Sequence, residues 1–303
     1  MTAGRGPSTS VRVVVVMNPG SGGGKVTRFR LIERVEASGA QVRLTGPGLD
    51  AASLARLAVE QGAEVLGVAG GDGTISAVAA IAAGARRPLV VIPAGTRNHF
   101  ARDLGIDVRN PARAVDALLD GRPVRVDLGQ VGSRVFVNNV SFGVYAEALL
   151  TPGYREAKAH TLAVVAPHYL EGQEWVHASV DTPEGTVEHP QVVLVSNNPY
   201  DLSTPRSFGR RFSLSTGLLG GVVFKRPAGP PPPDLPARLR RELRHQGRAG
   251  PPGAGVITWS AARITVHDTV ARLPAGIDGE AALLELPVVC ETLPGALRIL
   301  LPR

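Results

Sequence analysis

Cysteine, aromatic residues and long apolar runs are all scarce in this chain, and each scarcity closes off a class of protein. A single cysteine, Cys290, among 303 residues excludes an intramolecular disulfide and a multi-cysteine zinc site, and fits a reducing compartment. Aromatic residues are 4% of the chain against 44% hydrophobic overall, so the core must rest on Val, Leu, Ile and Ala. No apolar stretch approaches the ~20 residues of a membrane-spanning helix. Residues 1–10 lack the apolar segment of a signal peptide and read as a flexible tail. A cytoplasmic protein is the expectation.

Acidic residues are in the minority: 26 Asp and Glu stand against 33 Lys and Arg, for a net charge of +7. An Arg-rich chain with abundant Gly, Ala and Pro reflects genomic base composition as readily as attraction to a polyanion or an anionic lipid surface. No basic–aromatic interleaving or nucleic-acid motif is present, so nucleic acid is not the expected partner. The seven histidines show no ligand spacing, and the HExxH and GxSxG patterns are absent.

What is present is an alternation of strands and helices through the first third. Val11–Met17, Ala40–Thr45, Ala63–Ala69 and Pro88–Ile92 read as strands. Helices are expected from about Lys25 to Ala37, Ala51 to Gln61, Ile75 to Ala83 and Pro111 to Leu119. This order gives a parallel sheet covered on both faces, with ligands at the carboxyl ends of its strands. Beyond Gly121 the runs Val124–Leu128, Val135–Val140, Trp175–Val180, Gln191–Ser196, Gly221–Phe224, Val256–Val266 and Ala281–Leu286 suggest a mostly antiparallel sandwich. One helix, about Tyr154 to Leu170, interrupts it. A proline-rich connector at 227–236 and a basic segment at 237–245 follow; the latter reads as a surface helix or a membrane-surface one.

Three glycine loops come directly after strands and so converge on one sheet edge. Gly70-Gly71-Asp72-Gly73-Thr74 is the most telling. Glycine removes the Cβ that would block an oxyanion, and the N–H groups of a following helix point at it. Asp72 places a carboxylate where an anion should sit, so the loop suggests a nucleotide bound with Mg²⁺ rather than phosphate alone. The loop is not a dinucleotide fingerprint, because Ser76 replaces its third glycine. Asn18-Pro19-Gly20-Ser21-Gly22-Gly23-Gly24-Lys25 fails as a Walker A, with Pro19 in place of the first glycine and Val26 after the lysine. In Pro93-Ala94-Gly95-Thr96-Arg97-Asn98-His99, Thr96 and Asn98 stand where a helix cap is expected and also beside a bound phosphate. Asp278-Gly279 followed by Glu280 reads either as a plain hairpin turn or as the carboxylate that takes a hydroxyl proton in phosphoryl transfer.

The four motifs in this order resemble the diacylglycerol kinase catalytic family, which includes bacterial lipid kinases and sphingosine kinases. The resemblance runs from about Val11 to the end. It implies a phosphofructokinase/NAD kinase-like α/β domain over 11–123, with 287–303 returning to it, and a β-sandwich acceptor domain over 124–286. It implies ATP at Asn18, Pro19, Ser21, Gly22, Thr45, Gly70, Gly71, Asp72, Gly73, Thr74, Gly95, Thr96 and Asn98. It implies Asp278 as catalytic base with Glu280 beside it, and Asp127 joining Asp72 in a water-mediated Mg²⁺ network. Two departures stand out. His99 replaces a frequent acid, with Asp103 one turn on to restore part of the charge, and Ser215 replaces another. The expected activity is transfer of the γ-phosphate of ATP to a lipid hydroxyl, of diacylglycerol or a related lipid, at the inner membrane surface; a homodimer is an open option. The alternatives are a soluble-metabolite kinase of the NAD kinase type and a catalytically silent nucleotide- or lipid-binding protein.

Overall fold

The computed structural model describes residues 11–143, 146, 176–201, 210–224, 256–267 and 271–303. The helix expected near 154–170, the connector at 227–236 and the basic segment at 237–245 lie outside the described residues. The chain divides into two compact units. One runs up to Arg125 and takes in Leu297–Arg303; the other is Val126–Ala296.

In the first unit β1 (Val13–Met17), β2 (Gln41–Leu44), β3 (Val65–Gly70) and β4 (Leu89–Pro93) lie in the order β2-β1-β3-β4, all parallel. Ile299 and Leu300 add a further parallel stretch against Leu89 and Val90. The Val-rich β1 is buried along almost its whole length, as are β3 and β4, which is why these strands read as continuous apolar runs rather than alternating ones. The connecting helices are α1 (Lys25–Arg28), α2 (Leu31–Ala37), α3 (Ala51–Glu60), α4 (Asp72–Gly84), α5 (His99–Asp103) and α6 (Ala117–Asp120). Asp50 caps α3, accepting from the Ser53 amide at 2.9 Å and the Ser53 hydroxyl at 2.6 Å. Those bonds favour the ionised carboxylate and hold it below the usual aspartate range. α4 buries Ile75, Val78, Ala79 and Ala82, one face of a helix at 3.6-residue spacing.

Three expectations need correcting here. The single helix over 25–37 is two, because Arg30 takes a left-handed φ of 51° that the helical hydrogen-bond ladder cannot accommodate. α4 begins at Asp72 and not Ile75, so Asp72, Gly73 and Thr74 form its first turn rather than a loop. Pro111–Asp116 is a 3₁₀ turn leading into the short α6.

The second unit is built from β5 (Arg122–Val131), which enters it from the first, β6 (Arg134–Phe136), β7 (Asn139–Gly143), β8 (Ser179–Thr182), β9 (Gly185–Glu188), β10 (Val192–Asn197), β11 (Tyr200–Asp201), β12 (Arg210–Arg211), β13 (Leu219–Phe224), β14 (Val256–Ala261), β15 (Arg263–His267), β16 (Arg272–Ile277), β17 (Glu280–Glu285) and β18 (Val288–Leu301). One sheet has the order β14-β13-β10-β7-β16-β17 and is antiparallel throughout. A second contains β18-β15-β8-β9 with β5 and β6. Side chains of both share one core, including Phe136, Phe142, Val193, Val223, Ile264 and Cys290, so this unit is a sandwich. β11 and β12 form a separate two-stranded ribbon. The expected strand 135–140 is broken after Phe136, and the expected strand 256–266 is two strands, β14 pairing with β13 and β15 with β18 and β8, so the chain changes sheet at Ala262.

Cys290 is fully buried in this core, and burial pushes its thiol up to about 12. The thiol is therefore protonated and inaccessible at neutral pH. A disulfide-exchange reagent should leave it unlabelled in the native protein and modify it stoichiometrically in denaturant. Rapid native labelling at neutral pH would contradict this packing.

Candidate functional site

The three glycine loops of the first unit meet through their main chains. The Asn18 amide donates to the Ala69 carbonyl at 2.8 Å, which ties the end of β1 to the end of β3. Its side chain accepts from the Gly20 amide at 3.0 Å and donates to Thr74 Oγ1 at 3.5 Å. Gly22 has φ 59°, and a Cβ there would lie 2.2 Å from the Ala94 carbonyl oxygen. A Cβ on Gly95 would lie 2.3 Å from Gly71 Cα and 2.8 Å from Asn98 Oδ1. The loops are thus packed backbone to backbone, which only glycine permits.

Asn98 holds the third loop. It is buried, at φ 53°, and its side chain accepts from the Gly95 amide at 2.9 Å and donates to the Gly95 carbonyl at 2.8 Å. The expected cap on α5 is therefore not made by its side chain, which turns back on Gly95 instead. Thr96 and Arg97 are exposed at the crown of the loop. Lys25 donates to the same Gly95 carbonyl at 2.9 Å and to the Val108 carbonyl at 3.4 Å. Burial first, and then the charge of Arg28, lower its ammonium pKa. The Thr45 amide donates to the Met17 carbonyl at 2.8 Å, which sets this residue at the end of β2 beside the end of β1. Pro19 is exposed and Ser21 opens a 3₁₀ turn.

Asp72 opens α4, with Gly71 in the cap position and Gly73 and Thr74 next in the first turn. A carboxylate there is favoured by the helix dipole, and it accepts from the Phe100 amide at 3.3 Å. The helix geometry turns the first-turn amides toward the loops, so donors and one carboxylate face the same space. His99, which opens α5, feels the charge of Asp72. Its imidazole pKa is lowered, first by burial; the charge of Asp72 opposes this, Arg102 and Arg97 add to it, and Asp103 opposes it again.

The remaining expected residues belong to the second unit. Asp278 and Gly279 are the two central residues of the hairpin between β16 and β17, with φ 49° and 85°, the signature of a type I′ turn. The Asp278 carboxylate does more than turn the chain. Oδ2 accepts from the Val137 amide at 2.8 Å, and Oδ1 accepts from the Asn138 amide at 2.8 Å and the Asn139 amide at 3.0 Å. Three main-chain donors fix its orientation and stabilise its charge. Glu280 is exposed and lies 3.9 Å from the Arg134 guanidinium.

Asp127 is 2% exposed, and its carboxylate is engaged by the chain itself. Oδ1 accepts from the Gly295 amide at 2.8 Å and Oδ2 from the Gly217 amide at 2.7 Å. Its observed work is to tie the loop at Gly217 to Gly295 within β18. Ser215 sits in that loop, its amide donating to Ser213 Oγ at 3.1 Å. Among the described residues, no three His, Cys, Asp or Glu side chains cluster as metal ligands.

Sequence reasoning missed a buried polar group around 137–139. Asn138, Asn197, Asn198 and Arg211 are all nearly inaccessible. The signal was available: two Asn-Asn pairs, at 138–139 and 197–198, interrupt apolar strands where an unpaired amide would be costly.

Residues 12–131 match the family model described as the diacylglycerol kinase catalytic domain. A diacylglycerol kinase of Mycobacterium tuberculosis is 36% identical over 124 residues, covering 40% of this chain and 40% of that protein. A diacylglycerol kinase of Staphylococcus carnosus is 32% identical over 169 residues, 54% of each. The chain therefore spans about half the length of these relatives, or less. Two solved structures from Bacillus anthracis, the second of a diacylglycerol kinase, share the fold with TM-scores of 0.70 and 0.65. They are 18% and 17% identical, and each comparison covers 97% of this chain and 98% of the other.

Proposed function

Residues 12–131 match the diacylglycerol kinase catalytic domain model, and from that premise we propose that the chain belongs to this family and transfers the γ-phosphate of ATP to a lipid hydroxyl, of diacylglycerol or a related lipid. The observation that carries this is the side-chain-free contact of Gly22 with Ala94 and of Gly71 with Gly95, directly beside the first turn of α4. Such a cradle suits a polyphosphate, which needs close backbone amides and no intervening Cβ.

Mg²⁺ fits the same place. It is typically held by one or two carboxylates together with substrate phosphates and waters, and Asp72 supplies one carboxylate among the loops. When bound, the ion neutralises charge on the phosphates. Gly71, Gly73 and Thr74 would orient the phosphates through their amides, and Asn18 and Asn98 keep the loops that present them in register. Asp278 would accept the proton of the attacking hydroxyl, from an orientation fixed by its three amide donors. No helix among the described residues is long and apolar enough to cross a membrane, so the enzyme would meet its lipid peripherally, at the inner membrane surface, aided by its +7 charge.

Incubation with γ-labelled ATP and, separately, diacylglycerol, sphingosine, NAD or no acceptor tests the proposal. Label should enter diacylglycerol or a related lipid. Label in NAD alone would assign the soluble-metabolite alternative, and none anywhere the silent one. Asp72→Asn should lower lipid labelling on the order of 100-fold while leaving the fold intact, since the substitution keeps an acceptor for the Phe100 amide. Full activity in that variant would remove Asp72 from the site.

A further inference from the structure

Arg211 is a charged side chain only 6% exposed, placed on the two-residue strand β12 and outside every motif considered above. Its guanidinium bridges two segments, Val137–Asn138 and Asn197. Nη1 donates to the Val137 carbonyl at 2.6 Å and to the Asn197 carbonyl at 2.9 Å, and Nη2 donates to Asn138 Oδ1 at 2.9 Å. Across the ribbon, Tyr200 pairs with Arg211, and its hydroxyl accepts from Asn139 Nδ2 at 2.9 Å. The ribbon therefore grips residues 137, 138 and 139 from one side. On the other side the amides of the same three residues hold the carboxylate of Asp278.

One peptide group stands at the centre of this arrangement. The carbonyl of Val137 and the amide of Asn138 are its two ends. The first accepts from Arg211 and the second donates to Asp278. A cation, a peptide dipole and an anion are thus in line, an arrangement in which each hydrogen bond polarises the next. Burying a guanidinium is expensive, and an apolar side chain of similar volume is often tolerated as well or better for stability alone. What arginine adds is a rigid planar fork that fixes two neighbouring acceptors at once, which lysine cannot reproduce.

We propose that Arg211, seconded by Tyr200, is a positioning residue that sets the orientation of the Asp278 carboxylate through the Val137–Asn138 peptide group; this rests on Asp278 being the proton acceptor of the transfer. Neither residue touches the reacting atoms. Their effect is transmitted through main chain that would otherwise bend between β6 and β7, where the strand is already broken.

The test combines kinetics with amide hydrogen exchange on the full chain. Arg211→Met should accelerate exchange at Asn138 and Asn139 and lower kcat about 100-fold, the scale of a slightly misplaced catalytic group. KM for ATP should stay within about twofold, because the lost interaction belongs to the transition state and not to nucleotide binding. Arg211→Lys should recover part of both the exchange protection and kcat. If Arg211→Met does not fold, Tyr200→Phe, which loses one hydroxyl, should show the same pair of changes at smaller scale. Unchanged exchange at 138 and 139 overturns the proposal. So does a loss of activity that merely tracks the folded fraction and is equal in the Met and Lys variants. Absence of lipid labelling by the wild type, or full activity of Asp278→Asn, removes the proton acceptor and with it the catalytic role. The exchange result then still decides whether Arg211 holds the 137–139 segment.

Discussion

Asp278→Ala should cost the Val126–Ala296 unit about 3 kcal/mol of stability, because amides that share a charged acceptor each lose on the order of 1–3 kcal/mol when left unmet. It should also lower phosphoryl transfer by roughly 100-fold or more, the usual contribution of a positioned general base. Asp278→Asn is the more instructive variant. Asparagine tolerates the left-handed turn, yet it brings one carbonyl oxygen and one NH₂ to three amide donors. At least one donor then faces another donor, so Asn should rescue the turn without rescuing the clamp. Denaturant unfolding of both variants, with activity read per folded molecule, separates the contributions. An unshifted unfolding midpoint in Asp278→Ala would show that the three-amide grip does not matter to stability. Full specific activity in Asp278→Asn would remove the base.

Gly22→Ala should nearly abolish nucleotide binding. The new methyl would sit 2.2 Å from the Ala94 carbonyl oxygen at a backbone φ of 59°, so it meets both a main-chain clash and a strained conformation. A main-chain atom cannot swing aside as a flexible side chain can, so the first and third loops must part. A shift on the order of 1 Å in such a cradle is enough to cost about 100-fold. Gly95→Ala should act similarly, through Gly71 Cα. Gly23→Ala is the internal control: its φ is 66°, but nothing lies within 4 Å of the added Cβ. It should carry only the left-handed penalty, about 1–2 kcal/mol. Titration calorimetry with ATP in the presence and absence of Mg²⁺ measures all three. Equal affinities for the Gly22 and Gly23 variants would show that loop contact is not what shapes the site.

The first unit was the more legible half. Its Val-rich strands, spaced by amphipathic helices and closed by glycine at their carboxyl ends, declare a parallel sheet, and local physics suffices to read them. Arg30 illustrates what stayed hidden: nothing about an arginine announces a left-handed φ. The start of α4 at Asp72 was masked by two glycines that usually mark a loop. The second unit depends on pairings between residues far apart in the chain, such as Val192 with Phe224, and no local pattern encodes those. The Asp278 turn shows both sides. Its Asp-Gly dipeptide correctly signals a hairpin, and its carboxylate is held by three main-chain amides. The partners of that carboxylate lie some 140 positions earlier, beyond the reach of any spacing rule. Asp127 was read for its charge alone. Its neighbours across the fold, Gly217 and Gly295, are what reveal its use as a brace.

The parallel pairing of Ile299 and Leu300 with β4 has a consequence for how the molecule is made. Chains emerge from the ribosome amino end first and tend to fold domain by domain in that order. Here the unit begun first cannot acquire its last strand until 171 residues of the other, Val126 to Ala296, have been synthesised. During that interval β4 has an unpaired edge, exposed to any partner that offers a strand. The glycine loops lie at the ends of this sheet's strands, so the sheet that carries them is complete only once Leu297–Arg303 has left the exit tunnel.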